Sequence, residues 1–169
     1  MNQENQTFHY GLASIEQAID LAQKVCCVLG HGKNLVAHNL LLETACAESQ
    51  LGMYKDPTPG SAGFGLTQGD SIAIYDVANR TRYKDIQKIR NCFGFDLRLT
   101  NPMDLEEDPL KAFVFTRCFY KLIPDEIPKD LHSRAEYWKL FYNTALGKGT
   151  VAHYVESASR ILYSGKGFL

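Results

Sequence analysis

No stretch of this chain approaches the ~20 consecutive apolar residues of a membrane-spanning helix, so no span is expected. An excess of basic charge is also lacking. With 18 Lys and Arg against 19 Asp and Glu, the net charge is −1, and the electrostatic footprint of a nucleic-acid binder is absent. The five cysteines, Cys26, Cys27, Cys46, Cys92 and Cys118, are odd in number and match no zinc spacing. All but Cys27 sit among apolar neighbours and read as reduced, buried thiols on helix core faces. The five histidines are scattered rather than paired at helical intervals, so neither a metal nor another cofactor is expected. The opening "MNQENQTFHYGLASIEQ" has no basic leader and no apolar run, which predicts synthesis in the cytoplasm without a signal peptide. A length of 169 residues suits one domain, residues 1–169, that buries its core without disulfide or metal staples; a monomer is expected.

What is present is helical periodicity. Ser14 and Gln17 form a capping box, followed by Ile15, Ala18, Ile19, Ala22, Cys26 and Leu29 at helical spacing, until Gly30. Asn34 is placed to cap a second helix through "LVAHNLLLETACAES" to about Gln50, with Gly52 as the stop. Its apolar content predicts a central, mostly buried helix. Residues 53–69 are rich in proline and glycine and predict turns or short strands. Two short helices follow, "SIAIYDVAN" and "RYKDIQKIRNCF", the second closed by Gly94. Asp108 and Pro109 open "LKAFVFTRCFYKLI", Ser133 and Glu136 read as a capping box for "RAEYWKLFYNTAL", and Thr150 caps "VAHYVESASRILY". There are no repeats or linkers, and the fold class is mainly α.

One helix end stands out. Leu41, Thr44, Ala45 and Glu48 share a helical face, so Glu48 extends an apolar stripe into the last turn of the second helix. The negative end of the helix dipole and the loss of water both raise a carboxyl pKa there, as a general acid requires. Glu43 lies about 140° away around the helix and is expected to face solvent or the N-terminal helix. The bland reading of Glu48 is an exposed helix-end residue with no task.

"AESQLG" followed by "GFGLTQGD" resembles the lysozyme-like superfamily, especially the goose-type lysozymes and the soluble lytic transglycosylases. In those families a Glu-Ser pair ends a buried helix and a Gly-Leu-Met-Gln segment forms a small strand along the sugar groove. Here the pair is Glu48-Ser49 and the segment is Gly65-Leu66-Thr67-Gln68, with Thr67 departing from the usual Met. Downstream, "FYNTALGKGTV" resembles the family's Tyr-Asn-Ala-Gly run, with Tyr142-Asn143 in place and a two-residue excess before Gly147, Gly149 and Val151. The resemblance covers about residues 34–160, with residues 70–100 as a poorly matching insertion.

The resemblance implies a lysozyme-like domain with a small β-turn and strand region lining a glycan groove. It implies cleavage of the β-1,4 bond between N-acetylmuramic acid and N-acetylglucosamine in peptidoglycan strands, with Glu48 as the acid and the Tyr142 hydroxyl approaching it. Ser49, Gly65, Leu66, Gln68 and Asn143 would contact substrate. Gly60, Gly63, Gly65 and Gly69 let the backbone approach a sugar ring closely. Tyr54, Phe64, Tyr142 and Trp138 are candidates for stacking on sugar faces, and Trp138 also reads as a core aromatic. Asp70 is the second carboxylate, with Asp56 a weaker candidate. If Asp70 holds a water across the ring the reaction is hydrolysis. Without it, the muramic acid's own hydroxyl attacks and an anhydro sugar forms. Asp70 reads equally as a helix N-cap. Two other readings compete: a non-catalytic glycan-binding or structural subunit of a virion or secretion machine, and a cysteine hydrolase built on Cys46. A wall-cutting enzyme without an export signal fits a phage-type lytic protein, a virion-borne enzyme or a substrate of a dedicated secretion system.

Overall fold

The first helix begins at its expected cap. In the computed structural model, which describes residues 6–57 and 63–165, the Ser14 hydroxyl accepts from the Gln17 amide and α1 runs Ile15–Leu29. Gly30, at φ 98°, ends it. The second helix, α2, spans Ala37–Ser49 and starts later than Asn34 predicts. Leu35 holds a left-handed φ of 59°, which interrupts a helix, and the Asn34 amide instead donates to the Ile127 carbonyl at 2.8 Å. The stop also moves. Gln50, not Gly52, takes the left-handed cap position, and the Leu51 amide reaches back six residues to the Ala45 carbonyl, closing a Schellman-type turn over the buried Leu51 side chain.

α2 is the central element, as its apolar content predicts, and packs against α1 and the later helices α5 (Pro109–Lys121) and α7 (Val151–Ala158). Between α2 and α5 lies a two-stranded antiparallel hairpin, β1 (Gly63–Phe64) with β2 (Gly69–Asp70), paired Gly63 to Asp70 and Phe64 to Gly69. Gly60 lies outside the described residues. The poorly matching stretch 70–100 forms α3 (Ser71–Arg80), α4 (Tyr83–Phe93) and a 3-10 turn, Leu97–Leu99; α3 packs on α5 and α4 on α1. Gly94 closes α4 in the left-handed conformation with no steric contact that would require glycine for space.

α6 (Leu131–Trp138) starts earlier than the Ser133–Glu136 box predicts. Asp130 is the cap and accepts from the Ser133 amide at 2.9 Å, while Glu136 faces His132 on the exposed side. Asp108 caps α5 and Thr150 caps α7, as expected. Both α6 and α7 end in one π-helical turn, Lys139–Asn143 and Ser159–Tyr163. Cys26, Cys46 and Cys118 are buried, but Cys92 is exposed like Cys27, because the apolar side of α4 is carried by Ile86 and Ile89. Among the described residues no helix is long and apolar enough to cross a membrane.

Candidate active site at the end of the second helix

Glu48 sits one residue before the end of α2, and its side chain reaches a cavity of about 500 Å³ lined by Ala47, Trp138, Asn143, Lys148, Gly149, Thr150 and His153. That volume lies within the range of small-molecule sites. Burial against the surrounding helices pushes the Glu48 carboxyl up to about 7; the Trp138 indole N–H and the Lys139 charge pull the other way and are outweighed. The indole donates to Glu48 Oε1 at 3.0 Å. The carboxyl is therefore half protonated near neutrality and oriented by one donor.

Trp138 is fixed from three sides. Its ring packs on Tyr154 with centroids 5.1 Å apart, and it is otherwise enclosed by the core. On the remaining side the chain of the "GKG" turn passes so close that a Cβ on Gly149 would stand 2.5 Å from Trp138 Cη2. Gly147 is held by the same logic, its hypothetical Cβ falling 2.3 Å from the Asn143 carbonyl oxygen. Lys139 staples this turn to the helix above, its Nζ donating to Asn143 Oδ1 at 2.7 Å and to the Gly147 carbonyl at 2.9 Å. The core reading of Trp138 holds, and its contact with Glu48 is the feature that sequence spacing left unseen.

Tyr142 lies on the π-helical turn, and its hydroxyl donates to the Thr67 carbonyl at 2.7 Å. It ties the hairpin to the α6 segment. Desolvation, with the nearby Glu48 charge second, holds its phenol firmly protonated. The group that hydrogen-bonds the acid is thus Trp138, four residues earlier. Asn143 lines the cavity, with Oδ1 occupied by Lys139.

Ser49, Gly65 and Leu66 are buried at the junction of α2 with the hairpin. The Ser49 hydroxyl donates to the Leu66 carbonyl at 2.6 Å and accepts from the Gly52 amide at 3.0 Å, locking the end of α2 to the hairpin turn. Gly65, at φ 73°, gives its amide to Glu106 Oε1 at 2.7 Å and passes against the Leu105 backbone, where a Cβ would stand 2.3 Å from the carbonyl oxygen. Gln68 folds over the same turn, its side-chain amide donating to Gly65 O and to Tyr10 Oη. Thr67 is buried beneath the hairpin, 2.7 Å from the Thr116 hydroxyl. Phe64 is half-buried and Tyr54 is 55% exposed, and neither lines the cavity at Glu48. The Asp56 amide donates to the Tyr10 hydroxyl at 3.3 Å. Asp70 is exposed and acts as the N-cap of α3, Oδ1 accepting from the Ala73 amide at 2.7 Å.

Glu43 corrects its expected place. It is wholly buried and faces α6 and α7 rather than solvent or α1. Arg134 grips it with two bonds, Nε to Oε2 at 2.8 Å and Nη2 to Oε1 at 2.7 Å. The Tyr154 and Tyr163 hydroxyls donate to Oε2 and Oε1 at 2.8 and 2.6 Å. Four donors saturate this carboxylate, and with no lone pair left for a substrate it is a structural anion. Cys46 is also removed from chemistry: it is fully enclosed, and burial pushes its thiol well up, away from the nucleophilic thiolate.

Compared with models of known families, with curated proteins and with solved structures, the chain matches none.

Proposed function

We propose that this chain cleaves peptidoglycan glycan strands at the β-1,4 bond between N-acetylmuramic acid and N-acetylglucosamine, within a lysozyme-like arrangement, with Glu48 as general acid. The observation that carries the reading is a carboxyl with a pKa of about 7, held by one indole N–H at the wall of a cavity. A general acid works best with its pKa near the working pH, and such a group contributes about 10² to 10⁴-fold. In the proposed step the Glu48 proton passes to the glycosidic oxygen as the C1–O bond breaks. The wall would be reached after release from the cell or secretion.

The place of Asp70 favours one of two outcomes. Its carboxylate caps α3 and does not line the cavity at Glu48. A second carboxylate poised to hold water is the requirement for inversion by hydrolysis. The arrangement supports instead the lytic transglycosylase route, in which the muramic acid's own hydroxyl attacks C1, returns a proton to the Glu48 carboxylate and leaves an anhydro end. Mass spectrometry of the products of purified peptidoglycan tests both statements. Soluble fragments with anhydro ends, lost in Glu48→Gln, are expected. Reducing ends would restore hydrolysis, and no fragments from the wild-type protein would overturn the function.

A further inference from the structure

The cavity at Glu48 carries more positive charge than protonation of that residue favours. Lys139 already opposes the protonated acid. It has a structural task, stapling Asn143 to Gly147. Lys148 has none: it stands on the cavity wall, exposed, with no hydrogen bond or ion pair among the described residues. His153 stands on the same wall and donates from Nε2 to the Ala47 carbonyl at 2.9 Å, since a carbonyl can only accept. Among the described residues, Glu48 itself is the only carboxylate on that wall. A site for neutral sugars gains nothing from an unpaired lysine beside its acid, whereas an anionic sugar substituent is attracted to it.

We infer that Lys148 is a specificity residue that recognises a carboxylate on the sugar bound at Glu48, so that the site selects strands bearing anionic substituents over neutral chitin-type strands. The inference rests on the proposed glycan cleavage for its substrate. The chemistry required is a carboxylate close to the ring, either on a free lactyl group or on a stem peptide attached to it. The close approaches of Gly147 and Gly149 fix the backbone on either side of Lys148, which stands on the cavity wall. Neighbouring Leu146 is 97% exposed, so the turn stands out from the surface with Lys148 on its cavity side.

The test is calorimetric binding to Glu48→Gln of three glycans of equal length: strands with stem peptides, strands stripped to the free lactyl carboxylate, and chitooligosaccharides. The anionic strands are expected to bind more tightly, and Lys148→Gln in the same background to lose about two- to fivefold more affinity for them than for chitooligosaccharides, the worth of an exposed ion pair. Lys148→Arg should restore the preference, and 1 M salt should abolish it. Preference for peptide-bearing over stripped strands assigns the carboxylate to the peptide, and the reverse assigns it to the lactyl group. Equal affinity for anionic and neutral strands, or an equal loss for both in Lys148→Gln, overturns the inference. Cleavage assays on the wild-type protein separate the two claims. Anion preference without cleavage removes the proposed function alone, and cleavage without preference removes this inference alone.

Discussion

Glu48 and Glu43 lie five residues apart on one helix, and their partners assign them opposite chemistry. Glu43 receives four donors, so removing its charge strands Arg134 in the core. Arg134→Met, or Glu43→Gln, should cost about 3 to 5 kcal/mol, read as a large drop in melting temperature. Glu48 behaves in reverse. Its folded pKa of about 7 stands above the ordinary 4.5, so its contribution to stability is fully present below pH 4.5 and lost as pH rises toward and through 7. Glu48→Gln should therefore match the wild type in stability at pH 4.5 and exceed it at pH 8, by up to about 3 kcal/mol. Melting curves at the two pH values check this, and a variant less stable at pH 8 would contradict it. The neighbouring donor gives a sharper test. Trp138→Phe removes a hydrogen bond that favours the charged form, so the Glu48 carboxyl should titrate above 7, measurable by carbon NMR. The apolar stripe of α2 made Glu48 legible in the sequence. The engagement of Glu43 was not, because Arg134, Tyr154 and Tyr163 lie 91, 111 and 120 residues away along the chain.

Local chemistry decides the elements, and where two local signals compete the structure picks the stronger. Asp130 outranks the Ser133–Glu136 box at the start of α6, and the left-handed Leu35 overrides Asn34 at the start of α2. Caps without a rival, at Ser14, Asp108 and Thr150, were readable directly. Asp70 belongs with them. Asp70→Ala should cost about 0.5 to 2 kcal/mol through loss of the α3 cap, whereas Asp70→Asn should be nearly silent both in stability and in the proposed cleavage. Strong loss of turnover in Asp70→Asn would return it to the catalytic machinery. The "GKG" turn is a second element-scale case. Gly149→Ala would press a methyl into Trp138 and displace the indole from Glu48, so the proposed cleavage should fall by more than the loss of stability alone explains.

Across the whole molecule, α2 is the axle: α1, α5 and α7 pack around it, and the ends of both carboxylate networks meet at α7. Tyr154 donates to Glu43 through its hydroxyl and supports Trp138 through its ring, so one side chain couples the buried anion to the acid's donor. A chain truncated after residue 150 would lose both tyrosine donors to Glu43 and the packing behind Trp138. It should fail to give a cooperative melt or dispersed NMR amides, and a folded truncation would show that α7 is dispensable. The mainly helical architecture was legible from periodicity, since each amphipathic helix needs a partner face. The cavity was not, because it is assembled from the end of α2, the π-helical turn after α6 and the start of α7, three segments whose meeting depends on long-range packing.

Trp138 is the sole tryptophan of the chain, and its indole touches the carboxyl at the centre of the proposed chemistry. The protein therefore carries an intrinsic optical probe at its own working group. Emission from this one fluorophore should change with a midpoint near pH 7 as Glu48 ionises, and the transition should vanish in Glu48→Gln.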